Sequence, residues 1–132
     1  MAYFGGDNEF YAMQELVKTC QLSNQTDKRL EMTHNLCQML DTQTLDENMT
    51  KMVKSMEQYT QGLLTDPEFR RNVHKRHALM EREPITYFGD SMLKDDPYDF
   101  DETFEKKITE IEFKITIFLG NVLAFIQDQG AI

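Results

Sequence analysis

Hydrophobic positions recur along this chain at spacings of three and four, the period of an α-helix with one buried face. The first such run covers residues 8–22 and puts Phe10, Met13, Leu16, Val17 and Cys20 on one side. Asp7 precedes it as a candidate N-cap, leaving residues 1–6 as a short, flexible arm of aromatic residues and glycine. A break at 23–26 leads to a second helix over 27–41, capped by Thr26 or Asp27, with a seam of Leu30, Thr33, Cys37 and Leu40. The third, 45–63, alternates by four and three through Leu45, Met49, Met52, Met56, Tyr59 and Leu63, a heptad stripe like that of a coiled coil.

Thr65-Asp66-Pro67-Glu68 then reads as a helix start. Thr65 can cap, Pro67 fits the first turn where its missing N–H costs nothing, and Glu68 completes a capping box. The fourth helix, 66–82, places Phe69, Val73, His77 and Met80 inward and stops before Pro84. Residues 84–101 carry two prolines and a glycine and end in an acidic, aromatic run, which reads as one long acidic loop.

The fifth helix, 102–128, holds the four-three alternation longest, through Phe104, Ile108, Ile111, Ile115, Phe118, Val122 and Phe125. Its second half adds Phe113, Ile117, Leu119, Leu123, Ala124 and Ile126 on most of the other faces. A helix apolar nearly all round must be covered nearly all round. Either the other helices surround it or part of it meets another chain. No segment shows the period-two alternation of a strand. The pattern therefore predicts an all-α fold: a single-domain bundle of four to five helices with a long C-terminal helix, spanning residues 1–132.

Composition fits that picture. The chain has 132 residues, 40% hydrophobic and 28% charged, which is ordinary for one globular domain. Nine Met, nine Phe and five Tyr against no Trp give apolar faces that re-pack easily and suit protein contact or plain core. The two cysteines, Cys20 and Cys37, lack the spacing of a disulfide framework or metal motif, so a reducing, cytoplasmic setting is expected. The longest apolar stretch, 115–126, is too short and too interrupted to span a bilayer, and the N-terminus has no secretory pattern.

Charge changes the picture more. The formal net charge is −9, poorly suited to tracking a phosphate backbone over the whole surface. Yet residues 68–82 carry a local +3 and residues 90–105 a local −6. The acidic stretch can fold back to neutralise the basic helix. Alternatively, Arg70, Arg71, His74, Lys75 and Arg76 can form a docking face for an anionic partner.

Catalytic motifs are missing. The glycines fall in neither GxxxxGK[ST] nor GxGxxG spacing, and there is no GxSxG elbow. The ExxH of di-iron bundles occurs once, at Glu31–His34, where two are needed. His34 and Cys37 share a helix without the surroundings of a nucleophile. His74, His77 and Glu81 have zinc-compatible spacing, but His77 falls on the apolar seam, where a core histidine is commoner. Asp95, Asp99 and Asp101 lack an EF-hand's glycine and final glutamate, and Asp99, Asp101 and Glu102 suit the positive end of the fifth helix. The sequence thus points to a non-enzymatic protein with no cofactor or metal: an adaptor, inhibitor or assembly subunit of chaperone-like kind that presents a helical face to a protein partner. That contact includes a homo-oligomeric one through the C-terminal helix as an option. A nucleic-acid accessory factor working through helix 68–82 is the alternative, and no membrane association is expected.

Overall fold

The computed structural model describes residues 2–81 and 102–129, with side chains described over 9–78 and 102–129. Five helices follow one another, α1 (Ala2–Leu22), α2 (Thr26–Leu40), α3 (Glu47–Leu64), α4 (Pro67–Glu81) and α5 (Glu102–Asp128), and every regular element among the described residues is helical. The fold is an all-α single domain with a long C-terminal helix. The acidic loop at 84–101 and the capping of α5 by Asp99 and Asp101 lie outside the described residues.

Helix α2 is the hub, touching each of the other four helices. That position explains why its buried set exceeds one seam. Leu30, Thr33, Cys37 and Leu40 are buried as the pattern predicts, and Leu36 and Thr26 are buried as well. A helix with neighbours on several sides must be apolar on more than one face. The three buried threonines find partners. Thr33 Oγ1 lies 3.6 Å from Cys20 Sγ, and Thr60 Oγ1 donates to the Met56 carbonyl at 2.9 Å. With its hydroxyl proton so used, Thr60 accepts from His34 Nδ1 at 2.9 Å.

The helix starts differ from the expected ones. α1 runs from Ala2, so residues 2–6 are helical, not an arm, and Asp7 lies inside the helix. Gly5 and Gly6 disfavour a helix by about 1 kcal/mol each but, unlike proline, do not forbid it. Gln25, not Thr26 or Asp27, is the N-cap of α2, and it makes no side-chain cap bond. Thr26 instead turns inward to a partner on α5. Thr65 closes α3, its hydroxyl donating to the Gln61 carbonyl at 2.8 Å, and the capping role for α4 passes to Asp66, whose Oδ1 accepts from Glu68 N at 3.0 Å. A side chain that ends one helix cannot also cap the next. α3 itself starts at a conventional cap, with Asp46 Oδ1 accepting from Met49 N at 2.7 Å.

α3 also sits rotated from the expected stripe. Its buried residues are Val53, Met56, Thr60 and Leu63, while Met49, Met52 and Tyr59 are only half-buried. Thr60 turns inward because it has His34 to bond, a preference that hydropathy alone does not register. α5 packs on α1 and α2 and, as its pattern predicts, buries Phe104, Ile108, Ile111, Ile115, Phe118 and Val122, with Leu119 and Ile126 from the second face. Phe125 is half-buried and meets Phe10 edge-on, ring centroids 6.1 Å apart. Each large aliphatic or aromatic side chain taken fully from water contributes roughly 1.5–3 kcal/mol, so α5 anchors the bundle.

Candidate functional site

Two exposed faces stand out, one basic and one apolar. The basic one lies on α4, which the structure divides in two. Arg76 turns to α5 and forks onto Glu105, with Nε 2.7 Å from Oε2 and Nη2 3.2 Å from Oε1. His77 turns to α2, its Nε2 lying 3.4 Å from Asp27 Oδ1. That oxygen is buried and takes no hydrogen bond. His77 therefore sits at the bundle edge beside Asp27, 24% exposed, and not in the core.

Arg70, Arg71, His74 and Lys75 remain, exposed on adjoining turns and without an ion pair among the described residues. Of the five residues grouped by sequence as a docking face, four stay together at the surface. Arg76 leaves the group. Among the described residues its carboxylate partner is Glu105 of α5, which lies within the acidic 90–105 stretch. Among the described residues no three of His, Cys, Asp and Glu are placed to hold a metal ion. His74 points outward while His77 faces Asp27, and the Glu81 side chain lies outside the described residues.

The apolar face lies between α3 and α5. Since Val53 and Thr60 of α3 turn toward the core, Met52 and Tyr59 are left on its flank. Phe113 and Ile117, one turn apart on α5, are 64% and 49% exposed. Between the two helices runs a groove of about 340 Å³, floored by Met56 and Phe118 and bordered by Met52, Tyr59, Phe113 and Ile117. Lys114 arches over one wall, its Nζ 4.4 Å from the Tyr59 ring centroid and 3.3 Å from Glu110. Burial, followed by the charge of Glu110, raises the Tyr59 phenol pKa above its ordinary value, so the hydroxyl stays a neutral donor at the rim. Tyr11 and Leu22 are also exposed, but they line none of these clefts, as scattered surface apolar residues commonly do.

The sequence offered Phe113 and Ile117 only as part of an over-apolar helix end. The signal that marks them is that they lie opposite Ile111, Ile115 and Val122, which the regular stripe already assigns to the core.

A third cluster is electrostatic. Asp41 at the end of α2 and Glu57 on α3 face each other, with Lys54 Nζ 3.2 Å from Asp41 and 4.0 Å from Glu57. The hydrogen bond that protonated Glu57 donates to the Asp41 carboxylate, with burial and the charge of Asp41 added, lifts the Glu57 pKa above its ordinary 4.5, while Lys54 and His34 oppose the rise. Cys37 lies beside this pair. Burial first, then Glu57 and Asp41, push its thiol from 9.0 to about 12. It stays protonated at neutral pH and is no thiolate nucleophile. His34 and Cys37 are not brought together as a reactive pair, because His34 gives Nδ1 to Thr60.

Across α5, Glu112 accepts from Thr26 at 2.7 Å and pairs with Arg29, tying the N-terminal end of α2 to the middle of α5. That tie holds one wall of the groove in place, since Glu112 directly precedes Phe113. No described helix is long and apolar enough to cross a membrane. Compared with protein-family models, curated protein sequences and solved structures, the chain matches none of them.

Proposed function

We propose that this protein is a non-enzymatic interaction module that docks a helical segment of a protein partner in the groove between α3 and α5. The observation that carries this reading is the pairing of Phe113 and Ile117, large apolar side chains 64% and 49% exposed, with a preformed apolar groove beside them. A groove between two helices, lined by two methionines and three aromatic rings, suits an amphipathic helix read at every third and fourth residue. Large rings that lose most of their exposure on binding are the residues that dominate interface energies. The Lys114 ammonium at the rim favours a partner with a carboxylate beside its apolar stripe. A reducing, cytoplasmic setting is part of the proposal, supported by two cysteines that are both buried and free.

A photo-crosslinking residue at position 113, and another at position 71 as comparison, tests it in cells of the native host. A discrete protein adduct from 113 that is weaker or missing from 71 supports the docking groove. An adduct from 71 alone, or none from 113, overturns it.

The exposed set Arg70, Arg71, His74 and Lys75 favours a second reading, phosphate contact by a nucleic-acid accessory factor. That reading requires binding to a nucleic acid whose log affinity falls linearly and steeply with log salt, and it fails if no such binding occurs at low salt.

A further inference from the structure

We infer that the contact between Asp41 and Glu57 is a proton-operated latch on the last turn of α2, and that its release at rising pH uncovers the buried Cys37 thiol. That turn is lightly held. Asp41 N donates to the Cys37 carbonyl and Gln43 N to the Leu40 carbonyl, each at 2.9 Å, and the chain then leaves the helix. Gln38, Asp41 and Thr42 are exposed, so Cys37 and Leu40 are the side chains the turn buries. Toward α1 the turn is undercut by a cleft of about 460 Å³ among Met13, Asn35, Met39 and Thr42, bridged by Gln43 donating to Glu9. Toward α3 it meets Glu57, with the Lys54 ammonium beside both carboxylates. Few buried side chains and solvent-facing ties mark a segment that opens by itself.

The latch works by charge. With its proton in place, Glu57 donates to the Asp41 carboxylate, and the one negative charge left lies 3.2 Å from Lys54 Nζ. Without that proton, two carboxylates confront each other across a single ammonium. Asp41 also stands at the C-terminal end of α2, where the helix dipole already disfavours a negative charge. Two other groups of α2 face the pair. His34 draws Glu57 toward its ionised form but is committed through Nδ1 to Thr60, and Cys37, its thiol pushed up to about 12, adds no charge while covered. Swinging the turn outward separates the carboxylates and brings Cys37 to solvent. The sign agrees with the raised Glu57 pKa, since a proton held more tightly in the closed form is one whose loss favours opening. Cys20, buried beside Thr33 Oγ1 at 3.6 Å, stays covered in this motion.

Timed N-ethylmaleimide labelling of the full chain, read at each cysteine by mass spectrometry, tests the latch. Cys20 reports global unfolding in the same molecules, and the ratio of the two rates cancels the pH dependence of the thiol chemistry. Cys37 should label roughly tenfold faster than Cys20 near pH 8 and at a similar rate near pH 5. Dilute urea should speed Cys20 while leaving Cys37 nearly unchanged, because a local opening exposes little surface. Glu57→Gln keeps a donor for Asp41 and has no proton to lose. It should slow Cys37 roughly tenfold near pH 8 and leave it unchanged near pH 5. Equal rates for the two cysteines at every pH overturn the inference. So does a fast Cys37 that Glu57→Gln fails to slow, or one whose lead over Cys20 persists undiminished near pH 5.

Discussion

Arg76 on α4 and Glu105 on α5 form a two-pronged ion pair, with contacts of 2.7 and 3.2 Å between side chains only 25% and 31% exposed. The pair splits the basic helix into an inward half, which holds the bundle, and an outward half, which does not. Arg76→Ala should therefore destabilise the fold by about 1 kcal/mol, the upper end for an accessible pair of good geometry. Arg70, Arg71 and Lys75 changed together to Glu should stay within about 0.5 kcal/mol per site. Urea midpoints of the two variants check this, and equal losses would mean the outward residues also hold the fold.

Glu112 should matter more than Glu105. Its partners Thr26 and Arg29 are largely buried, and Arg29 Nε already lacks a hydrogen-bond acceptor. Glu112→Ala strands a guanidinium at the bundle edge, so a loss of about 2–3 kcal/mol is expected. A melting temperature within a degree of wild type would show that water replaces the carboxylate at no cost.

Two positions on α5, two residues apart, should behave oppositely. Ile115 is fully buried, and Ile115→Asp puts an unpaired charge among core side chains at a cost of several kcal/mol, against a total stability of about 5–15 kcal/mol. The folded state should be lost. Ile117 is half exposed, and Ile117→Lys should leave the monomer's stability within about 0.5 kcal/mol. Circular dichroism melts of the pair, taken dilute, separate core from docking face. A folded Ile115→Asp variant would mean that α5 does not anchor the bundle.

These contrasts show what the sequence carried. α5 was legible over its whole length because 27 residues sample the helical period many times. Its second apolar face was visible but could not be divided, since periodicity says which residues share a face and not which neighbour covers it. The structure buries Leu119 and Ile126 there and leaves Phe113, Ile117 and Ala124 outside. The α3 stripe came out rotated because Thr60, polar by composition, is fully buried through its bond with His34. The charge pattern allowed the 90–105 stretch to neutralise the basic helix but could not say that Arg76 is the residue Glu105 takes, and Thr26 was read as a cap because Glu112 lies 86 residues away. Local pattern cannot reach partners at those separations.

The Asp41–Glu57 contact gives a pH dependence whose sign is fixed. The folded pKa of Glu57 lies above its ordinary 4.5, so between the two values the native state holds more protons than the unfolded one. Stability from this site is fully present below about 4.5 and falls as pH rises through the folded value. Glu57→Gln removes the titration, so it should match wild type near pH 4 and exceed it at pH 7. Urea midpoints across that range would contradict this if wild type were the more stable protein at pH 7.

The docking groove is tested most directly by the affinity of Ile117→Lys for the protein that crosslinks at position 113, measured beside wild type and beside the Arg70, Arg71 and Lys75 to Glu variant. Loss of a central apolar anchor costs about 2 kcal/mol, so binding should weaken roughly thirty-fold while the melting temperature holds. The basic-face variant should bind within roughly threefold of wild type. Unchanged affinity in Ile117→Lys, or a loss confined to the basic-face variant, would contradict the groove as the binding surface.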